Sequence, residues 1–149
     1  MGKKIIQTRS EEESLIAGEN FAKELVSGSL VTISGDLGTG KTVFIKGICK
    51  FFEVEELVTS PTFSIMNQYN GLLNEENVSI FHIDLYRINT IEELKEIGLW
   101  DCLTNDDSIK LIEWPEKANG FLPIPRYDIK IIIDVEHENN RTFEISYLS

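Results

Sequence analysis

"SGDLGTGKTVF", residues 34–44, decides how the rest of the chain is read. Gly35, Gly40, Lys41 and Thr42 stand in the order G-x-x-x-x-G-K-T, the phosphate-binding P-loop pattern. In such a loop, backbone N–H groups converge on phosphate oxygens, the lysine reaches the β- and γ-phosphates, and the hydroxyl ligates Mg²⁺. The candidate loop residues are therefore Gly35, Asp36, Leu37, Gly38, Thr39, Gly40, Lys41 and Thr42. The pattern has chemical meaning only between a strand and a helix. "LVTIS" (30–34) before it reads as a buried strand, and Lys41 to about Phe52 reads as a helix. That helix turns its positive dipole end toward the same anion.

Outward from the loop, the chain alternates strand and helix patterns. A short strand around Ile5 and Ile6 leads to Ser10, with Glu13 three residues on as a capping box. The helix so opened has Leu15, Phe21, Ala22 and Leu25 on one side and ends at Ser27-Gly28. "LVTSPTFSIMNQY" is extended on both sides of Pro61, with a turn at Asn70-Gly71. "VSIFHIDLYR" (78–87) is a strand, Thr90 with Glu93 caps a short helix "IEELKEIG", and "SIKLIEW" (108–114) is a strand stopped by Pro115. "YDIKIIIDVE" and "RTFEISYL" form a terminal β-hairpin across His137 to Asn140. The sum is a single three-layer α/β domain, with a mixed central sheet and the P-loop at one end of it.

A Mg-nucleotide site also needs a carboxylate at the tip of a neighbouring strand. Asp84, ending "SIFHID", and Glu113, ending "IKLIE", are the two candidates, and both reach the metal if their strands flank the P-loop strand. Either acid alone reads equally well as a solvated strand end. "TSPTF" (59–63) sets hydroxyls at Thr59, Ser60 and Thr62 around a proline. It suits a switch segment ordered by γ-phosphate and Mg²⁺, and equally a Pro-kinked turn capped by its own hydroxyls. His82 shares a strand face with Asp84 and reads as a packed or hydrogen-bonded residue. Trp114 reads as a rim or core aromatic, and Arg87 as an ion-pairing residue.

Composition bounds the function. Lys plus Arg is 14 against 25 Asp plus Glu, a net charge of −11 over 149 residues. Such a chain repels phosphate backbones, which disfavours unaided binding to nucleic acid or anionic membrane. Cys49 and Cys102 have no C-x-x-C spacing and read as unpaired thiols in a reducing cytosol. The first residues are too polar for a signal peptide, Ile6 breaks a myristoylation pattern, and no run spans a membrane, so a cytoplasmic location is expected. No N-K-x-D guanine motif occurs, and position 87 is Arg where a GTPase places glycine. Arg9, Arg87, Arg126 and Arg141 are too scattered for the paired anionic substrates of a small-molecule kinase. A minimal ATPase is left, with a kinase and a nucleotide-sensing module as the competing readings.

"GDLGTGKT", "SPTF", "HIDLYR", "EELKEIG" and "LIEWPE", in that order and spacing, resemble the TsaE (YjeE/YdiB) family of bacterial P-loop ATPases over nearly the whole chain. The resemblance implies a role in forming N6-threonylcarbamoyladenosine at position 37 of tRNAs that read codons beginning with A. It implies TsaD-like and TsaB-like protein partners, with tRNA met only through the complex, and an ATP cycle that supports turnover of that complex. By position it makes Lys41 and Thr42 the phosphate and Mg²⁺ residues, "SPTF" the switch, Asp84 the Walker B acid and Glu113 a second acid at the metal. It also implies that Glu11 and the hairpin near Arg141 help enclose the ATP.

Overall fold

The computed structural model describes residues 2–61, 64–118 and 120–149. Thr62 and Phe63 of the "TSPTF" segment lie outside the described residues. The strands are β1 (Lys4–Thr8), β2 (Leu30–Ser34), β3 (Met66–Leu73), β4 (Glu76–Asp84), β5 (Ser108–Glu113), β6 (Arg126–Ile133) and β7 (Arg141–Leu148). The helices are α1 (Glu11–Ala22), α2 (Lys41–Phe51), α3 (Ile91–Glu96) and α4 (Leu99–Leu103), with a 3₁₀ turn at Pro115–Ala118.

Among the described residues seven strands form one sheet in the order β1-β7-β6-β2-β5-β4-β3. The four central strands, β6, β2, β5 and β4, run parallel, and the antiparallel partners β3, β7 and β1 lie outside them. The mixed three-layer α/β architecture and the terminal hairpin β6–β7 are thus as the sequence reads. β5 is apolar at three of six positions and buried at all of them, as a central parallel strand covered on both faces requires. One core cluster joins Val31, Ile33, Leu111 and Ile80 to α1 and α2. The other joins Leu30, Ile112 and Ile83 to α3, α4 and the 3₁₀ turn.

Local reading fails at several boundaries. Asn70 and Gly71 lie inside β3, and the hairpin turns at Asn74 and Glu75, both left-handed at φ 52° and 68°. Gly71 serves a different purpose there: a Cβ would lie 2.9 Å from the Phe52 carbonyl, whose oxygen accepts from Leu72 N at 2.7 Å. α1 stops at Ala22 rather than at Ser27-Gly28, its end closed by bonds from Glu24 N to Phe21 O and from Leu25 N to Ala22 O. The helix after Thr90 breaks at Gly98 (φ 73°), which starts α4. Strand β4 ends at Asp84, so Leu85 to Arg87 fall outside it. Both cysteines are free and buried, and burial pushes their thiols up to about 12 for Cys49 and about 11 for Cys102.

The capping boxes are realised: Glu13 N donates to Ser10 Oγ at 3.1 Å and Glu93 N to Thr90 Oγ1 at 3.3 Å. The buried stripe of α1 is small, however, consisting of Ser14, Ala17, Gly18, Phe21 and Ala22, with Leu15 only half-buried. That stripe lets α1 sit directly on α2. A Cβ at Gly18 would lie 2.3 Å from the Phe44 carbonyl oxygen, and one at Gly47 would lie 2.1 Å from that of Leu15. This crossing holds the helix that begins at the P-loop. Gly47→Ala should therefore destabilise: forced separation costs roughly 1–3 kcal/mol, more than the roughly 0.5–1 kcal/mol a helical alanine returns. Urea unfolding should show a net loss of about 1–2 kcal/mol for Gly47→Ala and under about 0.5 kcal/mol for the exposed neighbour Lys46→Ala.

Candidate functional site

Parallel strands β2, β4 and β5 all end on one edge of the sheet, and a cavity of about 800 Å³ opens there. Carboxyl ends of parallel strands are where open α/β sheets bind ligands. Leu37 to Thr42, Asp84, Glu113, Glu11 and Arg141 all line it. Gly35 and Asp36 line no part of it and lie at the root of the loop instead.

The loop's shape follows from its sequence. A Cβ at Gly35 would lie 2.8 Å from Thr39 Oγ1 and 2.9 Å from Ile131 O, so only glycine lets the loop fold back against β6. Gly40, left-handed at φ 94°, is the N-cap of α2 and supplies no side-chain cap. The first intrahelical bond is from Phe44 N to Gly40 O at 3.2 Å, which leaves the amides of Lys41, Thr42 and Val43 without a helical acceptor. Those amides, with the helix dipole behind them, form an anion cradle. Arg141 braces the loop from β7, donating from Nε to Thr39 O at 2.8 Å and also to Glu138 O and Asn140 O.

Lys41 is buried and folded back on its own loop. Its Nζ donates to Gly35 O at 2.6 Å and Asp36 O at 3.0 Å, and lies 4.3 Å from the centre of the Trp114 ring. Burial pushes the ammonium below its ordinary range, against the opposing pull of the Glu113 and Asp84 charges. Thr42 Oγ1 lies 2.7 Å from Ser60 Oγ, which ties the "TSPTF" segment to the loop.

The two acids are placed differently. β5 flanks β2 and pairs Glu113 with Ile33, whereas β4 lies one strand further out and pairs Asp84 with Glu113. The other flank of β2 is β6. Asp84 therefore stands beyond Glu113 as seen from the loop, and the picture of two flanking acids holds for Glu113 only. Glu113 is 3% exposed, and its Oε2 lies 2.6 Å from Nε2 of the fully buried His82. Asp84 is half-buried and accepts from Tyr86 N at 3.0 Å. Burial pushes its carboxyl above the ordinary range, the Tyr86 hydrogen bond opposes this, and the Glu113 charge adds to it.

Sequence reading missed Tyr86 as a lining residue and left Trp114 between rim and core; both line the cavity. Trp114 is left-handed at φ 59°, which turns its ring back over Lys41 and to 5.0 Å from that of Tyr86. A bulky residue at positive φ is uncommon, and nothing in a sequence announces it. Arg87 lines the cavity as well.

The residues fit a Mg-nucleotide in kind. Among the described residues no three His, Cys, Asp or Glu side chains gather as a metal cluster. Mg²⁺ does not require one, since it is held by one or two carboxylates together with phosphate oxygens and waters. Thr42, Glu113 and Asp84 are the oxygen donors beside the cradle.

Known proteins resemble this chain closely. Residues 8–143 match the family described as Threonylcarbamoyl adenosine biosynthesis protein TsaE. A tRNA threonylcarbamoyladenosine biosynthesis protein TsaE from Borreliella burgdorferi is 36% identical over 82% of this chain and 85% of its own. Its namesake from Treponema pallidum is 31% identical over 93% and 97%, and that from Haemophilus influenzae 37% over 86% and 79%. A crystal structure of Bacillus subtilis YdiB superposes with a TM-score of 0.77 at 25% identity, covering 99% of this chain and 87% of that one. Among the described residues no helix is long and apolar enough to cross a membrane.

The Asp84 environment makes a sign-definite prediction. Its folded pKa lies above the unfolded one, so between the two the native state binds more protons and stability falls as pH rises. At about pH 7 the ionised carboxylate therefore costs stability. Asp84→Asn, which can still accept from Tyr86 N, should raise the thermal midpoint there. The gain should shrink as pH falls through the folded pKa of Asp84. A midpoint lowered equally at neutral and acid pH would contradict the assignment.

Proposed function

Since the chain belongs to the TsaE family of threonylcarbamoyl adenosine biosynthesis proteins, we propose that it binds Mg-ATP on its Gly35–Thr42 loop and hydrolyses it. The hydrolysis serves N6-threonylcarbamoyladenosine formation in tRNA. The observation that carries this reading is the convergence of three things on one cavity: unpartnered first-turn amides of α2, the Lys41 ammonium, and the Glu113 and Asp84 carboxylates.

The residues divide the work as follows. The open amides of Lys41, Thr42 and Val43 hold phosphate oxygens. Lys41 exchanges the carbonyls of Gly35 and Asp36 for the β- and γ-phosphates, relieving an ammonium that is now buried on weak neutral acceptors. Bound Mg²⁺ supplies charge neutralisation at the phosphoryl oxygens. Thr42 and the two carboxylates are its protein-side holders. Glu113, with one oxygen engaged by His82, keeps its other oxygen as an acceptor that can orient an attacking water. Glu11 and Arg141, which line the same cavity, help enclose the nucleotide. The segment Thr59–Pro61, tied to Thr42 through Ser60, is the switch.

The partners are TsaD-like and TsaB-like proteins, and the ATP cycle supports turnover of their complex. A net charge of −11 supports a division of labour in which tRNA is held by those subunits and not by this chain.

Lys41→Ala should weaken ATP binding while leaving the thermal midpoint within a few degrees of wild type. Glu113→Gln should lower the hydrolysis rate by roughly a hundredfold or more with little change in nucleotide affinity. The isolated chain should hydrolyse ATP slowly and faster with both partners present. Steeply salt-dependent tRNA binding by the chain alone, or an ATPase rate indifferent to both partners, would sink the reading.

A further inference from the structure

A hydrogen-bonded chain runs through the protein interior from the backbone of Thr59 to the carboxylate of Glu113. Thr59 O accepts from Tyr69 Oη at 3.1 Å and from Asn67 Nδ2 at 3.2 Å. Tyr69 Oη lies 3.2 Å from His82 Nδ1, and His82 Nε2 lies 2.6 Å from Glu113 Oε2. His82 is fully buried and Tyr69 is 3% exposed. Burying an imidazole and a phenol hydroxyl costs desolvation that an aliphatic residue of similar size would avoid. Packing alone therefore does not account for them.

The sheet builds this line. Across the antiparallel β3–β4 ladder Asn67 pairs with His82 and Tyr69 with Ile80, so all four side chains share one face. Across the parallel β4–β5 ladder His82 pairs with Leu111, two residues before Glu113 on that same face. The ends of the line differ in kind. Glu113 closes a wholly buried strand, whereas Thr59 belongs to a stretch without regular structure, whose neighbour Ser60 is held to the P-loop by Thr42.

Tyr69 has one hydroxyl proton and two candidate acceptors for it, Thr59 O and His82 Nδ1. It serves one at a time. The position of Thr59 thus sets the hydrogen-bonding role left to Nδ1, and through the rigid ring the role left to Nε2 against Glu113. We propose that Tyr69 and His82 are positioning residues that couple the placement of the Val58–Pro61 segment to the orientation of the Glu113 carboxylate.

The proposal rests on the ATP-hydrolysis reading for one arm of its test and is independent of it in the other. Tyr69→Phe keeps the buried ring and removes the hydroxyl. It should lower kcat for ATP hydrolysis about tenfold, the equivalent of one hydrogen bond, with KM for ATP changed less than about twofold. In a Glu113→Gln background the same substitution should cost less than about twofold, because the group through which it acts is already altered. His82→Gln breaks the line at a second point and should reproduce both the loss and its dependence on Glu113. Equal losses in the two backgrounds would make these residues packing elements and overturn the proposal. The other arm is amide hydrogen exchange of the nucleotide-free protein. Glu113→Gln should speed exchange at Thr59 and Ser60 about tenfold, and should have no such effect once Tyr69→Phe is present. Exchange there that ignores Glu113→Gln would overturn the coupling whatever the kinetics. Wild-type protein that does not hydrolyse ATP, yet shows the exchange effect, would remove the functional reading and leave the coupling standing.

Discussion

Parallel pairing of Ile33 with Glu113, and of Glu113 with Asp84, is the constraint on which the rest of the structure depends. It brings three strand ends to the same level, so the P-loop and both acids emerge on one edge of the sheet. It also selects faces. A slip of one residue would turn Glu113 and His82 toward α3 and α4, and would expose Val31, Ile33 and Leu111 to the wrong layer. The apolar pattern of β5, buried at every position, makes that slip costly. Core and site are therefore specified by the same register.

The second requirement is that α2 start where it does. Its first turn presents open amides because Gly40 gives no side-chain cap, and its body is fixed by the Gly18–Gly47 crossing with α1. β7, two strands from β2, adds the Arg141 brace to Thr39. An anion cradle works only if its donors are already aimed, and here three separate elements hold the loop in place.

The site carries costs that the surrounding layers offset. Lys41 is buried on neutral carbonyls, Asp84 is held where burial disfavours its charge, and Trp114 is kept in the left-handed region. Two apolar clusters, one on each sheet face, supply the compensating stability. Concentration of such costs at one strand edge, in a chain otherwise consistent from pattern to packing, is what a binding site requires. The costs at Lys41 and Asp84 are of a kind that a bound phosphate and a bound cation would relieve.

Much of this was legible before any tertiary contact was known. The G-x-x-x-x-G-K-T loop, the capping boxes at Ser10 and Thr90, the buried run at β2 and the terminal hairpin are local patterns, and each formed as its residues dictate. Legible too were Asp84 and Glu113 as strand-end acids, because chain position alone puts them there. What sequence left open depends on which strands become neighbours. Strand order put Asp84 behind Glu113 and not beside the loop, and packing turned Asn70-Gly71 from a turn into the middle of β3. Trp114 joined the cavity through a backbone angle that no side chain encodes, and His82 met Glu113 across a separation of 31 residues. Local preferences act over a few residues of chain, whereas strand neighbours are chosen by the burial of whole faces. The sequence by itself determined the elements and the chemistry they carry, and only the folded sheet decided which of those groups meet.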